Sequence, residues 1–130
     1  MPNYYFIVNP TSGRGKGKAF GSQLQQKLNG LQLDYQLEYT TKPMHAQDLA
    51  AKASDKFEVI VVVGGDGTLQ EALNGMVGSD AALGILPVGS GNDFVRAVPI
   101  PTDMDKSLKI LLNPTKGLYI SKTVQTKVSP

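Results

Sequence analysis

The chain has no cysteine and only one histidine among its 130 residues. Without thiols it forms no disulfide, no thiolate metal site and no cysteine nucleophile, and a lone imidazole with no neighbouring partner specifies no acid–base chemistry. Charge of one sign is scarce as well. Thirteen basic residues against eleven acidic ones leave a formal net charge of +2, so composition gives no warrant for a nucleic-acid partner. No apolar run is long enough to span a bilayer, and Met1 to Pro10 lacks the basic start and long apolar stretch of a signal peptide. This pattern is compatible with a cytoplasmic setting, and any lipid the chain handles must be met from the water side. What is present, 41% hydrophobic and 18% charged residues over the length of one domain, is enough to bury a core.

One stretch organises the rest. Val59 to Val63 is a continuous β-branched run bounded by glycines, which fits a strand buried on both faces and therefore a parallel sheet. Gly64, Gly65, Asp66 and Gly67 interrupt it, and Leu69, Ala72, Leu73 and Met76 then recur at helical spacing. Thr68-Leu69-Gln70-Glu71 has the form of a capping box, which predicts Thr68 as the N-cap with Glu71 bonding back to it. The glycines are expected to supply positive φ and to let a ligand approach main-chain N–H groups, an arrangement that suits a phosphate at a helix N-terminus. Turn chemistry alone also favours Gly and Asp, so the turn by itself does not demand a ligand.

On either side of that turn, strands and helices alternate. Tyr4 to Val8 reads as the first strand, ended by Asn9-Pro10. Asn9 to Lys18 reads as a loop with Gly13, Gly15 and Gly17 interleaved with Arg14, Lys16 and Lys18. A Walker A motif and a dinucleotide fingerprint both fail there, because each requires glycine where Lys18 stands. Phe20, Leu24 and Leu28 share a helical face that Asn29-Gly30 would cap. Leu31 to Tyr39 alternates as a strand with one wet face, placed towards a sheet edge. Ala46, Leu49, Ala50 and Ala53 form a second helical stripe, with His45 expected to be a bland first-turn surface residue. Leu83 to Leu86 is a short strand stopped by Pro87. A helix carrying Met104, Leu108, Leu111 and Leu112 follows, then a strand over Gly117 to Ile120. The alternation predicts an α/β fold with an open, mostly parallel sheet flanked by helices. Ligands in such sheets bind beyond the carboxyl ends of the strands, where Asn9, Thr40, Gly64 to Thr68 and Ser90 all fall.

Three ordered stretches carry a resemblance. Gly64-Gly65-Asp66-Gly67-Thr68, followed by Leu69, Glu71, Asn74 and Gly75, resembles the GGDGT signature of the diacylglycerol kinase and related lipid kinase superfamily, of which NAD kinases and phosphofructokinases share related forms. Leu83 to Phe94, with Gly89-Ser90-Gly91-Asn92-Asp93, is similar to the family's second nucleotide loop, and Asn9-Pro10-Thr11-Ser12-Gly13 to its N-terminal one. Ser90 stands where the family commonly has Thr, and Met44 where it often has Gly.

The resemblance implies an N-terminal nucleotide-binding domain of the NAD kinase and phosphofructokinase type, spanning residues 1–130. A C-terminal β-rich domain is expected to supply the catalytic base and part of the lipid site. It implies ATP and Mg2+ as cofactors, a lipid alcohol as acceptor met at the membrane surface, no nucleic acid, and a homodimer as one arrangement. Asn9, Pro10, Thr11, Ser12, Gly13 and Thr40 would hold the nucleotide. Gly64, Gly65, Asp66, Gly67, Thr68, Leu69, Gln70 and Glu71 would cradle its phosphates, and Ser90 and Asn92 would add polar contacts. Asp66 would be the most sensitive carboxylate, acting on Mg2+ through water or by shaping the loop. The lead expectation is an ATP-dependent lipid kinase. A kinase of a soluble substrate such as NAD and a non-catalytic nucleotide-binding or regulatory module stand beside it.

Overall fold

The computed structural model describes residues 3–87 and the backbone of 119–120. The elements run β1 (Tyr4–Val8), α1 (Ser12–Gly30), β2 (Tyr35–Tyr39), α2 (His45–Ala53), β3 (Val59–Gly64), α3 (Asp66–Gly75), β4 (Ala82–Pro87) and β5 (Tyr119–Ile120). The expected loop through Ser90 and Asn92 and the expected helix over 102–112 lie outside the described residues.

The strands form one sheet in the order β2-β1-β3-β4-β5. β1 pairs in parallel with β2 and β3, β3 pairs in parallel with β4, and β5 closes antiparallel against β4. This is the open, mostly parallel sheet that the alternation of elements predicts. The central strands are buried at every position, so alternate side chains feed two separate cores. Tyr5, Ile7, Ile60, Val62, Leu83 and Ile85 face one way, under Ala46, Ala50 and Ala53 of α2 and Leu69, Ala72 and Met76 on and just beyond α3. Tyr4, Phe6, Val8, Val59, Val61 and Val63 face the other way, under Leu24 and Leu28 of α1. β2 is an edge strand among the described residues, with Gln36 and Glu38 exposed and Tyr35, Leu37 and Tyr39 packed towards α1.

The small residues on α2 and α3 have a geometric purpose. A Cβ at Gly75 would collide with the Gln47 carbonyl oxygen, so the two helices approach almost backbone to backbone. Under them, the Tyr5 phenol is pushed up to about 12 from an ordinary value of 10.0, first by burial and then by the Glu38 carboxylate.

Several boundaries differ from the sequence expectation. The helical assignment of α1 reaches back to Ser12 rather than starting beyond Lys18, through a left-handed turn at Gly13, Arg14 and Gly15. Its C-terminus is not capped at Gly30: Leu31 is the cap, its N–H bonding to the Leu28 carbonyl, and Gln32 takes the left-handed conformation with φ 53°. β2 begins only at Tyr35 because residues 31–34 are spent turning out of the helix.

Candidate functional site

The strand order reverses direction between β1 and β3: the chain leaves β1 for β2 on one side, then returns to β3 on the other. In open α/β sheets a crevice opens at that point beyond the carboxyl ends. Here the loops after β1 and β2 begin as continuations of the ladder. The Asn9 N–H donates to the Val63 carbonyl at 3.0 Å, and the Thr40 N–H donates to that of Val8 at 2.8 Å. The sheet itself therefore fixes the height of Asn9 and Thr40.

Asn9 ties the crevice together. Its Nδ2 donates to Thr68 Oγ1 at 3.0 Å across 59 residues of chain, while its Oδ1 accepts from the Thr11 N–H at 3.0 Å and the Thr11 hydroxyl at 2.8 Å. The side chain expected to touch nucleotide is thus a strut between the first loop and α3. Ser12 meets the same place from above. A Cβ at Gly64 would lie 2.9 Å from Ser12 Oγ and 3.2 Å from Thr68 Oγ1, so the missing side chain leaves room for both hydroxyls at the end of β3.

The α3 entrance departs from the predicted capping box. Gly65, not Thr68, is the N-cap, in an extended conformation with φ −107° and ψ −166°, and it carries no side-chain cap. Thr68 sits one turn inside the helix and is buried, because its hydroxyl is taken by Asn9. Gly64, Gly65 and Gly67 do not use positive φ; the left-handed glycines among the described residues are Gly13, Gly15 and Gly78. What Gly65 and Gly67 do provide is room, since a Cβ on either meets nothing within 4 Å among the described residues. The first N–H groups of a helix have no intrahelical acceptor, and here Gly65 and Gly67, at the cap and in the first turn, carry no side chain beside them. Asp66 occupies the first turn, where a carboxylate complements the helix dipole.

A cleft of about 470 Å³ lies beside this entrance, lined by Asn9, Pro10, Thr11, Thr40, Thr41, Lys42, Pro43, Thr68 and Glu71. Six of these were candidates by sequence. Leu69 is buried in the apolar core beneath α3, and Gln70 is exposed with its Nε2 donating to Asn74 Oδ1 at 3.2 Å, so neither lines the cleft. The residues that sequence reasoning passed over are Thr41, Lys42 and Pro43. A lysine beside threonines after a strand was the available signal; it adds the positive charge that the rest of the lining lacks.

Among the described residues no three histidine or acidic side chains converge as a metal cage. The carboxylates near the entrance are Glu71, which lines the cleft, and Asp66. That set fits a hard cation that arrives on phosphate oxygens and keeps its waters better than one held by protein alone.

The arrangement has known relatives. The model of the diacylglycerol kinase catalytic domain matches residues 3–120. The chain belongs to that family. A diacylglycerol kinase of Bacillus subtilis is 38% identical over 117 residues, covering 87% of this chain and 39% of that protein. Sphingosine kinase 1 of Caenorhabditis elegans is 31% identical over 145 residues, covering 93% of this chain and 31% of that protein. Among solved structures, a diacylglycerol kinase from Bacillus anthracis superposes with a TM-score of 0.73 at 28% identity, over 85% of this chain and 39% of that one. The chain therefore spans about two fifths or less of the length of these relatives. Among the described residues no helix is long and apolar enough to cross a membrane.

Proposed function

We propose that this chain is the nucleotide-binding part of an ATP-dependent lipid kinase of the diacylglycerol kinase type. The observation that carries the proposal is the Asn9–Thr68 hydrogen bond, which joins the first loop to the GGDGT turn and leaves Gly65 and Gly67 open beside a cleft containing Lys42. Phosphoryl transfer asks chiefly for positioning and for stabilisation of charge on the phosphate oxygens. The α3 entrance offers backbone N–H groups and Lys42 offers a cation. Thr11, Thr40 and Thr41 offer hydroxyls for the ribose or phosphates.

In the proposed reaction a lipid hydroxyl oxygen bonds to the γ-phosphorus while the bond from that phosphorus to the β–γ bridging oxygen breaks, releasing ADP. Magnesium bound to the phosphates would neutralise charge, with Asp66 and Glu71 as the nearby carboxylates on this chain. The hydroxyl proton passes to a base that we assign to the C-terminal β-rich domain implied by the resemblance. Residues 1–130 alone then bind nucleotide without turnover.

The test incubates the longer protein expected to contain this chain with labelled ATP, Mg2+ and a panel of diacylglycerol, sphingosine, a mixed lipid extract and NAD. Label in a lipid is expected. Label transferred to NAD moves the assignment to a NAD kinase, and label remaining in ATP, with ATP still bound, moves it to a non-catalytic module. Transfer to lipid by residues 1–130 alone would remove the division of labour between the two domains.

A further inference from the structure

His45 lies outside the GGDGT turn, yet it holds one wall of the cleft. Its Nδ1 accepts the Thr41 backbone N–H at 2.9 Å, and the Thr41 hydroxyl lies 3.3 Å from the same nitrogen. The His45 N–H donates back to the Lys42 carbonyl at 3.2 Å. These reciprocal bonds close the segment 41–45 into a ring that begins one residue after the ladder bond of Thr40. Inside the ring, Met44 is held left-handed at φ 67° and ψ 2°, a conformation that costs a non-glycine residue roughly 1–2 kcal/mol. Strain of that kind persists only where the surroundings over-determine it.

Thr41, Lys42 and Pro43, the cleft residues of this ring, are fixed by nothing else as specific among the described residues. The ladder ends at Thr40, Lys42 and Pro43 are exposed, and α2 starts only at His45. From this geometry we infer that His45 is a positioning residue for nucleotide, acting through Thr41. As a neutral imidazole accepting at Nδ1, it holds the Thr41–Pro43 wall against the strained Met44 in the shape that places Lys42 and the threonine hydroxyls on the cleft. It touches neither the nucleotide nor the reacting atoms. This inference rests on the proposal that the cleft binds nucleotide.

The chemistry makes a specific demand. Asparagine places its Oδ1 the same number of bonds from Cα as the imidazole Nδ1, so His45→Asn retains the acceptor. His45→Gln carries its acceptor one bond further out, and His45→Ala has none. A residue needed only as bulk or as a polar surface group would not sort these variants in that order.

The experiment measures ATP affinity by calorimetry for the wild-type chain and the three variants, with Thr41 amide hydrogen exchange and thermal melting on the same samples. His45→Asn is expected to bind within about twofold of wild type. His45→Ala and His45→Gln are expected to bind about tenfold more weakly, the size of one lost hydrogen bond, ~1.4 kcal/mol, with faster Thr41 exchange and only a small change in melting. His45→Gln carries the comparison if the alanine variant melts below the assay temperature. Wild-type affinity in His45→Ala, or an equal loss in His45→Asn, overturns the inference. If wild type binds no ATP, the nucleotide proposal fails by itself. The latch is then judged on exchange: a Thr41 amide protected in wild type and His45→Asn but not in His45→Ala supports it, and equal rates overturn it.

Discussion

The two ends of the sheet carry depressions of similar size and opposite character. At the amino end a groove of about 400 Å³ is lined by Ser54, Asp55, Phe57, Glu58, Gly78, Ser79, Asp80 and Ala81. Side chains in and beside it satisfy backbone groups there. Asn3 Oδ1 accepts the Glu58 N–H at 2.8 Å, Asn3 Nδ2 donates to the Lys56 carbonyl at 3.0 Å, and Ser79 Oγ donates to the Ser54 carbonyl at 3.1 Å while accepting the Ala81 N–H at 3.0 Å. Three carboxylates line that groove; one carboxylate and one ammonium line the cleft at the carboxyl end. Volume does not distinguish the two, but charge does. A polyphosphate meets repulsion at one end and, at the other, a lysine beside the positive end of α3.

The largest effect expected from breaking this contrast is at Gly65. An aspartate there would put a negative charge where the proposal places phosphate, and we expect ATP affinity to fall by about a hundredfold or more. The fold should be unharmed, because the backbone conformation suits any residue, the added Cβ meets nothing within 4 Å among the described residues, and Asp is a favoured N-cap. Calorimetry with parallel melting curves checks both parts, and unchanged affinity would remove Gly65 from the site. Reversing the lysine comes next. Lys42→Glu should weaken ATP about tenfold at low salt and less at high salt, because the side chain is exposed and screened. Equal loss at both ionic strengths would mean that the residue acts by shape instead of charge.

Smaller changes test the frame between the ends. Met44→Gly removes the left-handed penalty and should raise stability by about 1 kcal/mol in a denaturant titration, less the entropy that glycine adds to the unfolded chain. Finally, the buried Tyr5 makes the sheet interior sensitive to alkali. Its phenol is raised above its unfolded value, so its contribution to stability is fully present below pH 10.0 and is lost as pH rises towards about 12. Tyr5→Phe should flatten that part of a stability-against-pH curve, and an identical curve would place the sensitivity elsewhere.

Much of the architecture is legible in residue order because it follows from periodicity. The β-branched run at 59–63 fits a buried strand and forms one, and the alternation read over 31–39 has one wet face, of which 35–39 forms the edge strand. Local capping was less legible. Thr68 and Glu71 matched a capping box, but Thr68 Oγ1 is claimed by Asn9 from 59 residues away, and no local pattern reports such a partner. His45 does open α2 as expected, but its bond to the preceding loop was not legible for the same reason. Its partner is the backbone of Thr41, and a lone histidine advertises no backbone acceptor role. Leu69 fell inside a matched motif yet belongs to the core, because a helix in a motif must still turn one face inward.

The most direct test of the central claim is an ATP titration of the 15N-labelled chain with Mg2+, following backbone amide shifts at both ends of the sheet. The account predicts saturable shifts at 9–13, 40–45 and 64–71, with residues 3, 54–58 and 78–81 unmoved. Shifts centred on the acidic groove, or none at any ATP concentration, would contradict it.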